Sequence, residues 1–474
     1  MPPSPTDPLA RFLPAGVARR LRTLIDLTPG LHRPEARTGR MATTAFAVRI
    51  LSAGLAYVSQ MLLARWLGGF EYGVFVVLWT VVGAFGVVFA CGFEQSVVTL
   101  LRRCVQEGDA AGARGLVLTA RFVAFVVATL FAALGCAVLW LEPGLVADHR
   151  LVPIFIVALC LPAWSIAEIQ DAIAVAEGWP DLALLPTFVA RPTVILAAVG
   201  GAWAFGHATT AETACRAAVI ATWGVTLVQA ALLRLRLARR HGAGPRRFDL
   251  GLWARVTAPM FVTDAFVVLF GAVDVLIVGR WTTPEQVAVY FATIKTLTLV
   301  HFVLFAAKVA SAERFATFWH AGAHADLARF ARTVARWTFW ASLAAVVIVL
   351  VVGRPLLALF GPGFTEGFPI LFVLAIGVLA RASVGPAETL LTMAGQQSAP
   401  ALVYGLTFAV SLVANAVLVP FHGIWGAAVA TTGAMIFEAV LLAVVVRRRF
   451  GLRVFVLAPE AGSGDEPPKG TAAP

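Results

Sequence analysis

Charged side chains interrupt the apolar stretches of this sequence at a few interior positions, and these residues could carry chemistry. The first half holds three bases and two acids at such positions, namely Arg49, Arg121, Glu168, Asp171 and Arg191. Ionisable groups are costly inside a bilayer and tend to mark substrate or ion pathways. A guanidinium presents paired donors that match phosphate oxygens. Because the bases outnumber the acids, this set predicts a net positive site for an anionic, phosphate-like group.

A structural role for the same residues stays open. Glu168 and Asp171 are three positions apart and therefore share one face of a helix. Arg121 and Arg191 would then pair with these two acids and lock the helices together. On that interpretation Arg49 remains the unpaired cation, unless its side chain reaches the membrane interface.

The second half contributes a comparable set, Asp264, Asp274, Lys295, Arg381 and Glu388. Lys295 and Asp274 lie at similar depths on successive segments, so a structural ion pair is one interpretation. Arg381 lies near the middle of its segment with no obvious partner at its depth, which makes it the preferred ligand-binding residue of this half. We predict that the cavity cations bind substrate and that the acids are ion-coupling or structural. The predicted cations are Arg49, Arg121, Arg191, Lys295 and Arg381, and the predicted acids are Glu168, Asp171, Asp264, Asp274 and Glu388.

Signatures of enzymes and of metal sites are missing. The sequence has no HExxH, GxSxG or GxxxxGK[ST] pattern, and its five cysteines form no CxxC pair. The loop at 67–73 offers one carboxylate, Glu71, where a membrane glycosyltransferase would need a metal or a catalytic acid. We therefore predict no enzyme activity, no metal site and no cofactor, with a coupling Na⁺ or H⁺ left open.

The composition explains why these charges must be membrane-buried. The chain of 474 residues is 59% hydrophobic and 13% charged, whereas a soluble domain carries about 25% charged residues. The net charge of +11 resides mainly in short loops between apolar runs. Such loops set membrane topology, so we do not interpret the charge as a nucleic-acid surface.

Twelve apolar segments are long enough to cross a bilayer, which takes about 20 residues. We predict spans at 44–66, 74–93, 115–140, 151–176, 183–205, 212–233, 254–279, 287–310, 333–353, 368–393, 400–420 and 424–446. Arginines concentrate in the loops after spans 2, 6 and 8 and in the tail after span 12. The positive-inside rule then places both termini in the cytoplasm.

An internal repeat divides the twelve spans into two similar halves. Arg65-Trp66 is echoed 215 positions later by Arg280-Trp281, and a shift of 217 carries Gly178 onto Gly395 and Asp171 onto Glu388. Matches at nearly one offset favour a duplicated six-helix unit with parallel orientation. The predicted fold is all-α, with two pseudo-symmetric six-helix bundles around a central cavity. The predicted parts are a cytoplasmic tail at 1–41, lobes at 42–240 and 254–449, a basic linker at 241–253 and a cytoplasmic tail at 450–474.

Two regions resemble the polysaccharide and oligosaccharide flippases (O-antigen flippase-like) of the multidrug/oligosaccharidyl-lipid/polysaccharide exporter superfamily. The segment 60–75, QMLLARWLGGFEYGVF, is similar to the signature of their first helix. Asn415 and the segment 418–431, LVPFHGIWGAAVAT, resemble their eleventh helix and the turn after it. Asp274 with Tyr290 resembles the signature of the seventh and eighth helices.

The resemblance implies a transporter of the bacterial inner membrane that works by alternating access. It implies that an undecaprenyl-pyrophosphate-linked glycan crosses from the cytoplasmic to the outer leaflet for cell-surface polysaccharide biosynthesis. Expected partners are this lipid-linked substrate, membrane lipid, and the polysaccharide polymerase and chain-length proteins, with no nucleic acid. The family holds its cavity charges in no fixed motif, so the arginine candidates depend on their depth alone.

Three other functions stay open. A cation-coupled exporter of small molecules from the same superfamily would have an acid-lined cavity, which Asp264, Asp274, Glu388 and Glu438 allow. A membrane glycan polymerase or ligase would need a large external loop with catalytic residues, and every loop here is short. A peptidoglycan-precursor flippase usually has fourteen helices, against the twelve predicted.

Overall fold

A computed structural model describes the backbone of residues 34–456, apart from 243, 397 and 453. Side chains are described for residues 52–456, apart from the same positions and 241. Residues 1–33 and 457–474, which make up most of the two predicted tails, and the side chain of Arg49 therefore lie outside the described residues. From Ser52 onward the chain forms one compact unit, and all contacts below lie within it.

The described chain is built of helices, which is expected because a segment in hydrocarbon must satisfy its own backbone hydrogen bonds. Spans 1 and 2 lie in Pro34–Val88, broken at Gly68, and span 2 continues through Phe93–Glu107. Spans 3 to 6 are Ala110–Leu141, Asp148–Ala158 with Cys160–Glu177, Pro180–Leu185 with Pro186–Ala190 and Arg191–Ala204, and Ala211–His241. Spans 7 to 9 are Leu250–Phe270 with Val273–Trp281, Pro284–His320, and His324–Ala358. Span 10 is Phe368–Ala382 with Ala387–Met393, and spans 11 and 12 lie in Ser398–Phe450, broken at Gly423.

Twelve membrane crossings account for these helices. Within the described residues nine helices are long and apolar enough to span a bilayer, or ten with the bent pair of span 4. Two of the nine, Ser52–Glu107 and Ser398–Phe450, have 56 and 53 residues. At about 1.5 Å per residue, the length of each along its helix axis is roughly 80 Å. This is more than twice the ~30 Å thickness of the hydrocarbon core. Each therefore provides two crossings, and the predicted all-α membrane fold is confirmed.

Two glycines make these double crossings fold back. Gly68 has φ 79° and Gly423 has φ 55°, a region that L-residues with a Cβ rarely adopt. The turn at Gly68 lies at the same end of the bundle as the turns that precede spans 4, 6, 8 and 10 and the turn at Gly423. We call this the Gly68 end. The other end, which holds the turns after spans 2, 4, 6, 8 and 10, is the Gly108 end.

Four spans are discontinuous, and ionisable residues lie beside the breaks of three of them. Span 2 is interrupted at 89–92 just before Glu94, and span 7 at 271–272 just before Asp274. Span 10 is interrupted at 383–386, between Arg381 and Glu388. Span 4 bends by 43° at Leu159. The predicted spans give only the bounds of each crossing, and the breaks inside them change which charged groups meet.

The repeat is visible in backbone geometry. Gly178 ends span 4 and Gly395 ends span 10, and both are left-handed, with φ 74° and 76°. Both therefore close their helices in the same way. The helices before and after the linker pack mainly within their own half, in accord with two six-helix bundles. The exact lobe boundaries stay a prediction.

The halves also contact each other at both ends. At the Gly68 end, a Cβ on Gly73 would collide with the Pro284 carbonyl, so spans 2 and 8 touch through backbone. Toward the Gly108 end, Thr257 Oγ1 donates to Ser96 Oγ at 2.8 Å, joining spans 7 and 2. A cavity of about 510 Å³ lies between spans 2, 3 and 4 and span 7, near the Gly68 end.

Candidate functional site

The second half contains a closed network of buried charges around the break in span 10. Arg381 Nε donates to Glu438 Oε1 at 2.6 Å, and Arg381 Nη2 donates to Glu388 Oε2 at 2.7 Å. Lys308 forms an ion pair with Glu388, and the Tyr404 hydroxyl donates to the same carboxylate. Two cations and two acids from spans 8, 10 and 12 therefore neutralise one another.

This network corrects the prediction for Arg381, which sequence analysis leaves without a partner. Arg381 is 8% exposed, and its Nη1 donates to the Gly385 carbonyl at 3.0 Å in the break. Because span 10 is interrupted, Glu388 folds back beside Arg381 on its own span. Glu438 lies on span 12. The depth of a residue along its own helix does not show which residues of other helices it contacts, so this partner is not predicted. Lys308 lies at the edge of the predicted span 8, 287–310, and sequence analysis does not single it out.

Asp274 and Lys295 do not form the predicted ion pair among the described residues. Asp274 Oδ1 accepts from the Val275 amide at 2.7 Å, and Asp274 Oδ2 accepts from the Tyr290 hydroxyl at 3.0 Å. Lys295 Nζ lies 4.8 Å from the centre of the Phe291 ring. Lys295 is partly exposed and interacts only at longer range with Asp274. It therefore remains a cation available to a ligand.

The first half treats its acids differently. Asp171 accepts from Thr187 Oγ1 and from Gln229 Nε2, each at 2.6 Å. Both donors are neutral, so the carboxylate is hydrogen-bonded without being neutralised. The predicted alternative, in which Arg121 and Arg191 form ion pairs with Glu168 and Asp171, is wrong for the described residues, because none of these pairs comes within ion-pair distance.

Arg191 is deeply buried and incompletely satisfied. It is 3% exposed, and its guanidinium carbon lies 4.3 Å from the centre of the Trp164 ring. Its Nε and Nη2 find no hydrogen-bond acceptor among the described residues. Glu168 and Asp171 are near enough to interact with its charge but not to accept its protons. Stacking on indole holds the guanidinium in place while leaving donors unused.

Arg121 shares this property on span 3. Its Nε and Nη2 are buried and have no acceptor within the described part of the chain. No described carboxylate forms an ion pair with it. A buried donor without an acceptor is costly, and a charged one is more costly. The free donors of both arginines are therefore suited to bind an acceptor from a ligand.

Acidic residues from both halves interact through their charges. Glu94 on span 2 interacts electrostatically with Glu168 on span 4 and with Asp264 on span 7. Glu94 Oε2 and Asp264 Oδ2 are buried without a hydrogen-bond partner among the described residues. Sequence analysis misses Glu94 because it places the end of span 2 at residue 93. The helix resumes after its break and carries Glu94 into the interior.

These acids add to the predicted first-half site, whose net charge stays a prediction because the side chain of Arg49 lies outside the described residues. The described side chains supply three carboxylates from the first half, Glu94, Glu168 and Asp171, and one from the second half, Asp264, beside two guanidiniums, Arg121 and Arg191. The site therefore holds more acids than bases in the part of the chain that the structure describes. It combines unsatisfied cations with unsatisfied acids, which is a suitable arrangement for an anionic ligand and a small cation.

Comparison with solved structures identifies the fold of the chain. No family model matches the sequence, and no curated protein matches it. Among solved structures, an inward-facing multidrug resistance MATE family transporter of the MOP superfamily superposes with a TM-score of 0.67 at 14% identity, covering 86% of this chain and 94% of that chain.

Two further structures give the same architecture. The lipid II flippase MurJ, in an inward closed conformation, gives a TM-score of 0.65 at 12% identity, covering 85% of this chain and 87% of its own. A MOP superfamily transporter from Pyrococcus furiosus, described as having a binding pocket of reverse polarity, gives 0.62 at 11% identity, covering 87% and 95%. The chain therefore has the fold that these transporter structures share.

Proposed function

We propose that this protein flips a polyprenyl-pyrophosphate-linked oligosaccharide across the bacterial inner membrane by alternating access. The observation that carries the proposal is the pair of buried arginines, Arg121 and Arg191, whose guanidinium donors have no acceptor among the described residues. A pyrophosphate supplies several acceptor oxygens with negative charge, which are the groups these donors lack. Lys295, over the Phe291 ring, would add a cation from the other half.

The need for a protein path follows from the substrate. A charged pyrophosphate and a polar glycan cannot cross about 30 Å of hydrocarbon unaided. A transporter that shelters the headgroup between its halves, while the prenyl chain stays in the lipid, lowers that barrier. One of the fold neighbours is itself a lipid II flippase.

The acids between the halves would couple flipping to a cation gradient. Glu94 belongs to the first half and Asp264 to the second, and their charges interact. Binding of H⁺ or Na⁺ would relieve repulsion between the two carboxylates and favour closer approach of spans 2 and 7. Release of the cation would restore the repulsion and favour separation. A driving cation would thereby bias the equilibrium between two arrangements of the halves.

The orientation and partners extend the same proposal. The arginine-rich loops lie at the Gly108 end, so we place this end and both termini in the cytoplasm by the positive-inside rule. The lobes would be 42–240 and 254–449, joined by the basic linker. A polysaccharide polymerase and chain-length proteins would use the flipped substrate in cell-surface polysaccharide biosynthesis.

Leaflet exchange in proteoliposomes tests the proposal. A fluorescent polyprenyl-pyrophosphate oligosaccharide is incorporated, and the outer-leaflet fraction is quenched by a membrane-impermeant reductant. We expect the protein to raise the quenchable fraction well above that of protein-free vesicles, and an imposed proton or sodium gradient to raise the rate further. Equal exchange with and without protein, with correctly folded protein in the vesicles, would overturn the proposal.

The excess of acids favours one second candidate, a cation-coupled exporter of small molecules. Glu94, Glu168 and Asp264 would then bind a cationic substrate. A parallel assay with a fluorescent organic cation separates the two. Gradient-dependent cation uptake without lipid exchange would support the exporter, whereas lipid exchange without cation uptake would support the flippase.

A further inference from the structure

A groove near the Gly68 end combines an apolar wall with two arginines, Arg150 and Arg280, in its lining. Its volume is about 510 Å³, within the ordinary range of small-molecule sites. Spans 2, 3 and 4 supply most of its wall with side chains such as Val81, Phe131 and Leu161, and Leu276 contributes from span 7. It is therefore an interface feature of both halves, separate from Arg121 and Arg191, which do not line it.

The groove is open sideways toward lipid. Phe131 is 54% exposed and Gly135 is exposed, and both lie on the side of span 3 that bears other exposed apolar residues. A Cβ on Gly135 would meet no atom within 4 Å. In a membrane such a groove admits a hydrocarbon chain directly from the bilayer, without passage through water.

Two arginines belong to the lining of the groove. Arg150 and Arg280 both line it, and their like charges interact. Arg150 Nη1 donates to the Gly279 carbonyl. The guanidinium carbon of Arg280 lies 5.5 Å from the centre of the Trp281 ring. Neither arginine forms an ion pair within the described residues, although Asp148, Glu71 and Glu285 surround the neighbouring His149. Glu71 instead accepts from the Ala211 amide at 2.6 Å.

Two guanidiniums whose like charges interact, and which form no ion pair among the described residues, are stabilised when an anion joins them. We propose that this groove binds a phosphate-bearing lipid, with its hydrocarbon chain along the apolar wall and its phosphate between Arg150 and Arg280. Resting on the proposed function, the lipid would be the polyprenyl-pyrophosphate substrate, held after its headgroup has reached the Gly68 end. The site would retain the lipid at the exit leaflet until it is released.

Binding to purified full-length protein in nanodiscs tests this site with three probes. These are a polyisoprenyl diphosphate, the uncharged polyisoprenol and inorganic diphosphate. We expect the diphosphate lipid to bind more tightly than either fragment. The double variant Arg150→Gln/Arg280→Gln should weaken it at least tenfold and leave the polyisoprenol unchanged. Gly135→Trp adds an indole to the lining of the groove at a position where a Cβ meets no atom within 4 Å, and it should weaken both lipids at least threefold.

Arg354→Gln is the matched control, because Arg354 is an exposed arginine near the same end that does not line the groove. It should bind all three probes as the wild type does. Wild-type affinity in the double variant, or inorganic diphosphate binding as tightly as the lipid, would overturn the proposal. Leaflet exchange by the wild type is scored separately. If the lipid binds but leaflet exchange fails, the flippase proposal is wrong and the lipid site stands. If exchange occurs but the lipid does not bind in the groove, only the lipid site is wrong.

Discussion

The acids Asp171 and Glu388 occupy equivalent positions in the two halves but have different partners. Each accepts a hydroxyl hydrogen bond from the residue sixteen positions later, Thr187 in one case and Tyr404 in the other. The remaining partner of Asp171 is the neutral amide of Gln229. The remaining partners of Glu388 are two cations, Arg381 and Lys308. The two halves therefore share the hydroxyl–carboxylate hydrogen bond but differ in the charge of the other groups that contact the carboxylate.

The source of the cation explains the difference. The shift of 217 that relates the halves places Trp164 where the second half has Arg381. In the first half an indole fills this position, and Arg191 stacks on it from span 5. One half therefore holds a closed, neutral network, and the other an open set of charges. We infer that the closed network is a scaffold and that the open set meets the ligand.

Loss of Arg381 should produce the largest change in stability. Arg381→Met leaves Glu388 and Glu438 buried with less compensation, and breaking a buried ion pair costs about 3–5 kcal/mol. We expect a large fall in the thermal midpoint, measured by size-exclusion chromatography of heated, detergent-solubilised protein. Arg216→Met, which removes an exposed pair with Glu212, serves as the control and should shift the midpoint little. Comparable midpoints for the two variants would contradict a scaffold role for the network.

Arg191→Gln should lower leaflet exchange without lowering stability. Removal of a buried cation that lacks acceptors should leave stability unchanged or raise it, because the desolvation cost of the charge disappears. Leaflet exchange of the pyrophosphate lipid should fall at least tenfold, the loss of one charge-assisted contact of about 1.5–3 kcal/mol. A drop in thermal midpoint as large as that of Arg381→Met, with normal exchange by the folded fraction, would show that Arg191 is structural.

The two equivalent hydroxyl bonds provide a finer comparison. Thr187→Val and Tyr404→Phe each remove a hydroxyl and keep the shape, and each leaves a carboxylate with one donor fewer. We expect each to cost about 1–2 kcal/mol in unfolding free energy. Chemical denaturation in a mixed detergent measures both, and Thr193→Val, at an exposed hydroxyl bonded within its own helix, is the reference. A cost in only one half would mean that the bonds are not equivalent.

The smallest effect is expected at the linker between the halves. Arg247 Nη2 donates to Asp109 Oδ2 at 2.5 Å, and Arg114 Nε donates to the Pro245 carbonyl at 3.0 Å. Because Arg247 is exposed, Arg247→Gln should cost about 1 kcal/mol or less and leave leaflet exchange as in the wild type. A marked change in exchange rate would indicate that linker docking controls movement of the halves.

The sequence predicts the fold well because the bilayer imposes strong rules. Length, hydropathy and the repeat lead to twelve spans, and the cost of buried charge marks Arg191, Arg381 and Lys295 as special. Partner choice is not predictable in this way. Glu94 enters the interior only because span 2 resumes after its break, and Arg381 meets Glu438 only because spans 10 and 12 adjoin. Such encounters depend on packing between spans, which depth along a single helix cannot encode.

Photo-crosslinking of the bound headgroup tests the contrast between the halves most directly. A polyprenyl-pyrophosphate oligosaccharide with a diazirine on its first sugar is irradiated with the protein in proteoliposomes, and the labelled peptides are identified by mass spectrometry. We expect label on 110–141 and 160–204, around Arg121 and Arg191, with loss of that label in Arg191→Gln. Label confined to peptides around Arg381 and Glu438, unchanged in Arg191→Gln, would contradict the account.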